Sequence, residues 1–133
     1  MTHEQVMMKS YEDFNRRSLA WVEEYCDSNV EWHMTDTLPD AESYHGRAGV
    51  RQFFEEQLWP VFERFELHPV GFEHHGEDRL LVRLDVKGSG AGSGMDLDAQ
   101  LIHVVEFRGN KIASLRVFLG AEQEARARAA ISA

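Results

Sequence analysis

Apolar positions recur at helical spacing through most of residues 1–58 and alternate with polar ones from residue 62 onward, so the chain reads as helices followed by strands. Thr2 followed by Gln5 has the form of a capping box, and Val6, Met7, Tyr11 and Phe14 then make the apolar stripe of a first helix ending near Arg17. Ser18 can cap a shorter second helix carrying Leu19, Val22 and Tyr25. "NVEWHM" changes the period: Val30, Trp32 and Met34 alternate against Glu31 and His33, which is strand patterning. "TDTLPDAESYHG" reads as loop from its Pro, Asp and Ser content. From Arg47 to about Leu58, the residues Val50, Phe53, Phe54 and Leu58 give a third helix that Pro60 closes.

Four strands follow, "FERFELHPVGFE", "RLLVRLDVKG", "MDLDAQLIHVVEF" and "KIASLRVFLG", joined by the turn chemistries "HHGED", "SGAGS" and "RGN". "AEQEARARAA" reads as a short polar helix that frays. Three helices and a meander predict an α+β fold with the helices laid across one face of a curved antiparallel sheet. The third of these strands raises a question. Its inward series is Leu97, Ala99, Leu101, His103, Val105 and Phe107, and one imidazole stands in register with the buried face. Its outward residues Ile102 and Val104 are apolar where a solvated face is polar, which predicts a homodimer across that outer face.

Composition narrows the function classes. A chain of 133 residues with 43% apolar content folds as one domain, residues 1–133, without staples. Its net charge of -9 excludes a phosphate backbone as partner, so no nucleic acid is expected. No run is long and apolar enough for a membrane span, and "MTHEQVMMKS" has no secretory character. The single Cys26 fits a reducing cytoplasm. His33, His45, His68, His74 and His75 follow no compact zinc spacing, so neither a metal nor another cofactor is expected. "KGSGAGSG" lacks the ending of a phosphate loop and lies between strands, so it serves as a hairpin connection.

"FNRRSLAWVEEYCDSNVEWH", "YHGRAGVRQFFEEQL" and "LIHVVEFRGNKIASLRVFL", in that order, resemble the SnoaL-like branch of the nuclear transport factor 2-like superfamily, from about Val6 to Leu119. The resemblance implies a cone-shaped curved sheet wrapped around three N-terminal helices, a homodimer and a hydrophobic pocket. It does not imply one reaction, because the superfamily holds isomerases, cyclases, hydrolases, dehydratases and non-catalytic members. Against the ketosteroid isomerases, their first-helix Tyr falls on Ser10, their base on Met34 and their second Asp on His103. A thioether cannot abstract a proton, so no ketosteroid isomerase turnover is expected. The polyketide cyclases share the pocket histidine at His103, but their acid on the last strand falls on Val117. "VRLDV" matches the Arg-x-Asp of limonene epoxide hydrolases, yet alternation turns Val82, Leu84 and Val86 inward and Arg83 and Asp85 outward. Scytalone dehydratases place an Asp where Asn15 stands, and Asn15 can orient an imidazole by hydrogen bonding.

His103 is therefore the candidate catalytic or anchoring group, in a pocket expected to be lined by Tyr11, Phe14, Asn15, Trp32, Met34, Phe54, Trp59, Phe62, Val82, Leu84, Leu101, Val105, Val117 and Leu119. With no carboxylate beside it, its pKa should fall below that of a free histidine, and His103→Leu should cost little stability. The expected function is a pocket for a small hydrophobic molecule, with an incomplete set of the superfamily's catalytic acids. The alternative is a non-catalytic homodimeric module whose inner face is plugged by its own aromatic side chains.

Overall fold

The Thr2 hydroxyl accepts from the Gln5 amide at 3.1 Å, and the Gln5 side chain accepts from the Thr2 amide at 2.8 Å. This capping box starts α1 (His3–Asn15) in the computed structural model, which describes residues 1–34 and 42–133. Helix α1 buries Val6, Met7, Tyr11 and Phe14 along one stripe. Helix α2 (Ala20–Tyr25) follows at once, with the Ser18 hydroxyl accepting from the Ala20 amide at 3.3 Å. In β1 (Cys26–His33), Val30 and Trp32 point into the core as alternation predicts.

Residues 35–41 of the expected loop lie outside the described residues. The end of that loop is a strand instead: β2 (Ser43–His45) pairs antiparallel with β1, placing Tyr44 opposite Trp32. The third helix also differs from expectation. It is α-helical as α3 (Gly46–Gln52), then widens to a π-helix over Phe53–Leu58, in which the Trp59 amide reaches back five residues to the Phe54 carbonyl at 2.9 Å. The wider winding lets the consecutive Phe53 and Phe54 both be buried.

Strands β3 (Phe62–His75), β4 (Arg79–Gly90), β5 (Asp96–Arg108) and β6 (Lys111–Leu119) form the antiparallel meander. The six strands make one curved, unclosed sheet in the order β2-β1-β6-β5-β4-β3. One pairing departs from the expected antiparallel sheet. Strand β1 runs parallel to β6, since the whole chain from β2 to β5 connects the two. Inward residues Leu80, Val82, Leu84 and Val86 of β4 join α1, α2 and the π-helical segment in the main core.

The outer face carries a second, smaller core. Helix α4 (Glu124–Ser132) packs Ala127 and Ile131, both fully buried, onto Leu81, Ile102, Val104 and Phe118. Arg79 donates to the Ile131 carbonyl at 3.0 Å and also to Ala133, while Arg128 donates to Glu73. The terminal segment is thus a docked helix, where its polar composition suggested fraying. Spacing of four between Ala127 and Ile131 makes one apolar contact line along the helix. The same docking accounts for the apolar Ile102 and Val104 within a single chain.

Candidate functional site

His103 sits at the middle of the sheet, paired in register with Val82 of β4 on one side and Val117 of β6 on the other. Its side chain faces the helices and is 1% exposed. Opposite it, α1 delivers Tyr11, whose hydroxyl lies 2.9 Å from His103 Nδ1. The Trp32 indole and the imidazole meet in a T-shaped contact, ring centres 5.9 Å apart. Desolvation by burial pushes the His103 pKa from 6.5 down to about 3, and the same burial pushes the Tyr11 hydroxyl well above its ordinary value of 10. Both groups are neutral at pH 7.

A cavity of about 40 Å³ borders the ring, lined by Phe14, Trp32, Met34, Phe53, Phe54, Leu58, Phe65, Leu67, Leu101, His103 and Val117. The buried Phe14, Trp32, Phe54, His103 and Val117 form its floor, and the half-buried Met34, Leu58, Phe65 and Leu101 form its rim. Polar chemistry in this lining is sparse. The Trp32 N–H is directed at the Met34 sulfur at 3.2 Å, and His103 Nδ1 is engaged with Tyr11. Among the described residues, His103 Nε2 makes no hydrogen bond, and no carboxylate lines the cavity. Such a site can offer a hydrogen bond from a neutral ring; it is poorly equipped to move a proton, because a base with a pKa near 3 is weak and lacks an acid to share with.

Of the residues expected from sequence, Phe14, Trp32, Met34, Phe54, Leu101 and Val117 gather with His103 around the cavity. Tyr11, expected in the lining, is instead buried beside the floor with its hydroxyl on the imidazole. Asn15 does not orient His103. Its amide is consumed by the backbone of Leu67, donating to the carbonyl at 2.9 Å and accepting from the N–H at 2.8 Å, which clamps α1 to β3. Trp59 packs behind Phe14 and Phe54 beneath the Arg17 guanidinium. Phe62 packs at a tilt against Phe65, and Val82, Leu84 and Val105 lie in the core and do not line the cavity. Leu119, at the end of β6, is 37% exposed and does not line it. Ser10, at the isomerases' Tyr position, donates to the Val6 carbonyl at 2.8 Å within its own helix. Sequence reasoning passed over Phe53, Leu58, Phe65 and Leu67, although the first two lie on the stripe of the third helix and the other two alternate along β3.

Arg83 faces outward as alternation predicts, held by Glu124 of α4 and by Glu73. Four of the other histidines pair with surface carboxylates: His33 and His45 flank Glu31, His68 meets Glu66 and His74 meets Glu4.

The Tyr11 partnership changes the expected cost of removing the imidazole. His103→Leu keeps the volume but leaves a buried phenol without an acceptor, at about 1–3 kcal/mol. Urea unfolding at pH 7 should show that loss, and Tyr11→Phe added to His103→Leu should recover most of it.

A family model described as the SnoaL-like domain matches residues 8–115. The chain belongs to that family. No curated protein matches it. Among solved structures it resembles TerC co-crystallised with polyporic acid, at 18% identity over 98% of both chains with a TM-score of 0.79. It also resembles a putative SnoaL-like polyketide cyclase from Jannaschia sp., at 13% identity over 94% of this chain and 90% of that one, TM-score 0.74. A third is a hypothetical protein of ketosteroid isomerase-like fold from Catenulispora acidiphila in complex with trimethylamine, at 10% identity over 91% and 88%, TM-score 0.76. At these identities the likeness establishes the SnoaL-like fold and nothing finer. No helix among the described residues is long and apolar enough to cross a membrane.

Proposed function

We propose that this SnoaL-like protein binds a small hydrophobic molecule in the cavity between its helices and sheet, with the polar end of the ligand at His103. One observation carries the reading: among the described residues, the apolar cavity is lined by a neutral imidazole whose Nε2 has no hydrogen-bond partner. Pockets with apolar walls and few placed polar groups are the usual form of small-molecule sites. Support also comes from fold neighbours captured with small organic molecules, polyporic acid in one and trimethylamine in another. A space of about 40 Å³ takes only the head of such a ligand, and the rest lies against the apolar rim of Met34, Leu58, Phe65 and Leu101. Binding is the reading that this lining supports: no carboxylate among the described residues lines the cavity, and an imidazole held neutral down to about pH 3 is a weak base.

The tightness of the aromatic floor favours a second reading, a plugged inner face with no ligand. Titration with acetophenone separates the two. A ligand site predicts saturable shifts of the His103 ring resonances together with those of Val117 and Leu101. Resonances unmoved at millimolar concentration would sink the ligand reading.

A further inference from the structure

Tyr11 is 5% exposed, and its hydroxyl has one hydrogen to place. Among the described residues its sole hydrogen-bond partner is His103 Nδ1. Two proton arrangements fit that contact. In the first, Tyr11 donates to Nδ1 and the ring carries its hydrogen on Nε2. In the second, Nδ1–H donates to the phenol oxygen, and the phenol hydrogen is buried without an acceptor at about 1–3 kcal/mol. The adjacent Ser10 hydroxyl is turned to the carbonyl of Val6. The first arrangement leaves Nε2–H as the ring's free polar group, and the His103 ring lines the cavity, where a ligand can meet it.

We infer that Tyr11 is a positioning residue that fixes His103 as the Nε2–H tautomer and thereby makes the cavity selective for uncharged hydrogen-bond acceptors, a carbonyl or ether oxygen on an apolar body. This rests on the reading that the cavity takes a ligand. It adds the ligand's chemistry and names the residue that sets it. A protonated amine would meet an N–H where it needs a lone pair. A hydrocarbon of the same shape would leave the N–H unpaired.

Two measurements test it. Two-bond nitrogen–proton correlation spectra of the histidine rings report the tautomer without any ligand: wild type should show Nε2–H at His103, and Tyr11→Phe a mixture or the other form. A wild-type Nδ1–H pattern, or an unchanged tautomer in Tyr11→Phe, would overturn the role of Tyr11. Affinities for acetophenone and for α-methylstyrene, which replaces C=O by C=CH₂ in the same frame, test the ligand class. Wild type should prefer the ketone about tenfold, the worth of one hydrogen bond, and Tyr11→Phe should lose most of that preference. Equal affinity for the two would overturn the acceptor class while leaving the cavity reading intact. Binding of neither would overturn the ligand class together with the reading beneath it.

Discussion

Between neutral pH and about pH 3, wild-type protein is expected to lose roughly 4–5 kcal/mol more stability than the His103→Leu variant. The cause is the buried imidazole. In the unfolded chain His103 takes up a proton near pH 6.5, whereas in the folded protein desolvation holds it neutral down to about 3. The unfolded state therefore binds more protons throughout that window. Stability contributed by the neutral ring is complete above pH 6.5 and is drained as pH falls toward 3, at about 1.4 kcal/mol per pH step. Carboxylates add their own acid sensitivity: Arg64 and His68 hold Glu66 down to about 2, and Arg128 and Arg83 lower Glu73. Both groups are present in both proteins, so the difference isolates the histidine. Urea unfolding curves at closely spaced pH values give it directly. Parallel stability curves for the two proteins would mean that the ring is protonated in the folded state through a partner or a water path.

The elements were legible because their signals are local. A capping box, alternation in β3 to β6 and an apolar stripe each depend on neighbours within a few residues, and all fold as patterned. His103 stood out for the same reason, as the polar member of an apolar alternating series. Its partner did not. Tyr11 is 92 positions away, and the contact depends on how α1 is rotated over the sheet, which the Asn15 clamp on Leu67 helps to fix. Matching to the isomerases pointed to Ser10, one step and about 100° round the helix from the residue that makes the bond. The docking of α4 was hidden in a similar way. A short helix of alanines, one isoleucine and interspersed charges looks solvated until Ile102, Val104 and Phe118 are seen to need a cover. The π-helical widening at Phe53 has no sequence mark beyond two consecutive bulky rings that both need burial.

Phe54→Ala tests whether those rings fill the space that a ligand would take. Phe54 is 2% exposed and holds the centre of the aromatic floor, its ring 5.2 Å from both Phe14 and Trp32, 5.0 Å from Phe53 and 5.9 Å from Trp21. Neighbours tied to α1, α2 and β1 can close only part of the gap. The loss should be about 3–5 kcal/mol in urea unfolding, the range for a buried aromatic cut to Ala. The new void also merges with the cavity beside His103, which Phe54 lines. A dry apolar space of about 150 Å³ accepts benzene, whereas the native cavity of about 40 Å³ does not. Benzene should therefore raise the unfolding free energy of the variant, by about 1.4 kcal/mol at ten times its dissociation constant, and leave wild type unchanged. Equal stabilisation of both proteins would show that wild type already opens to a benzene-sized guest. A variant that loses little stability and ignores benzene would show that the floor collapses onto the site, and that Phe54 does not hold the cavity's shape.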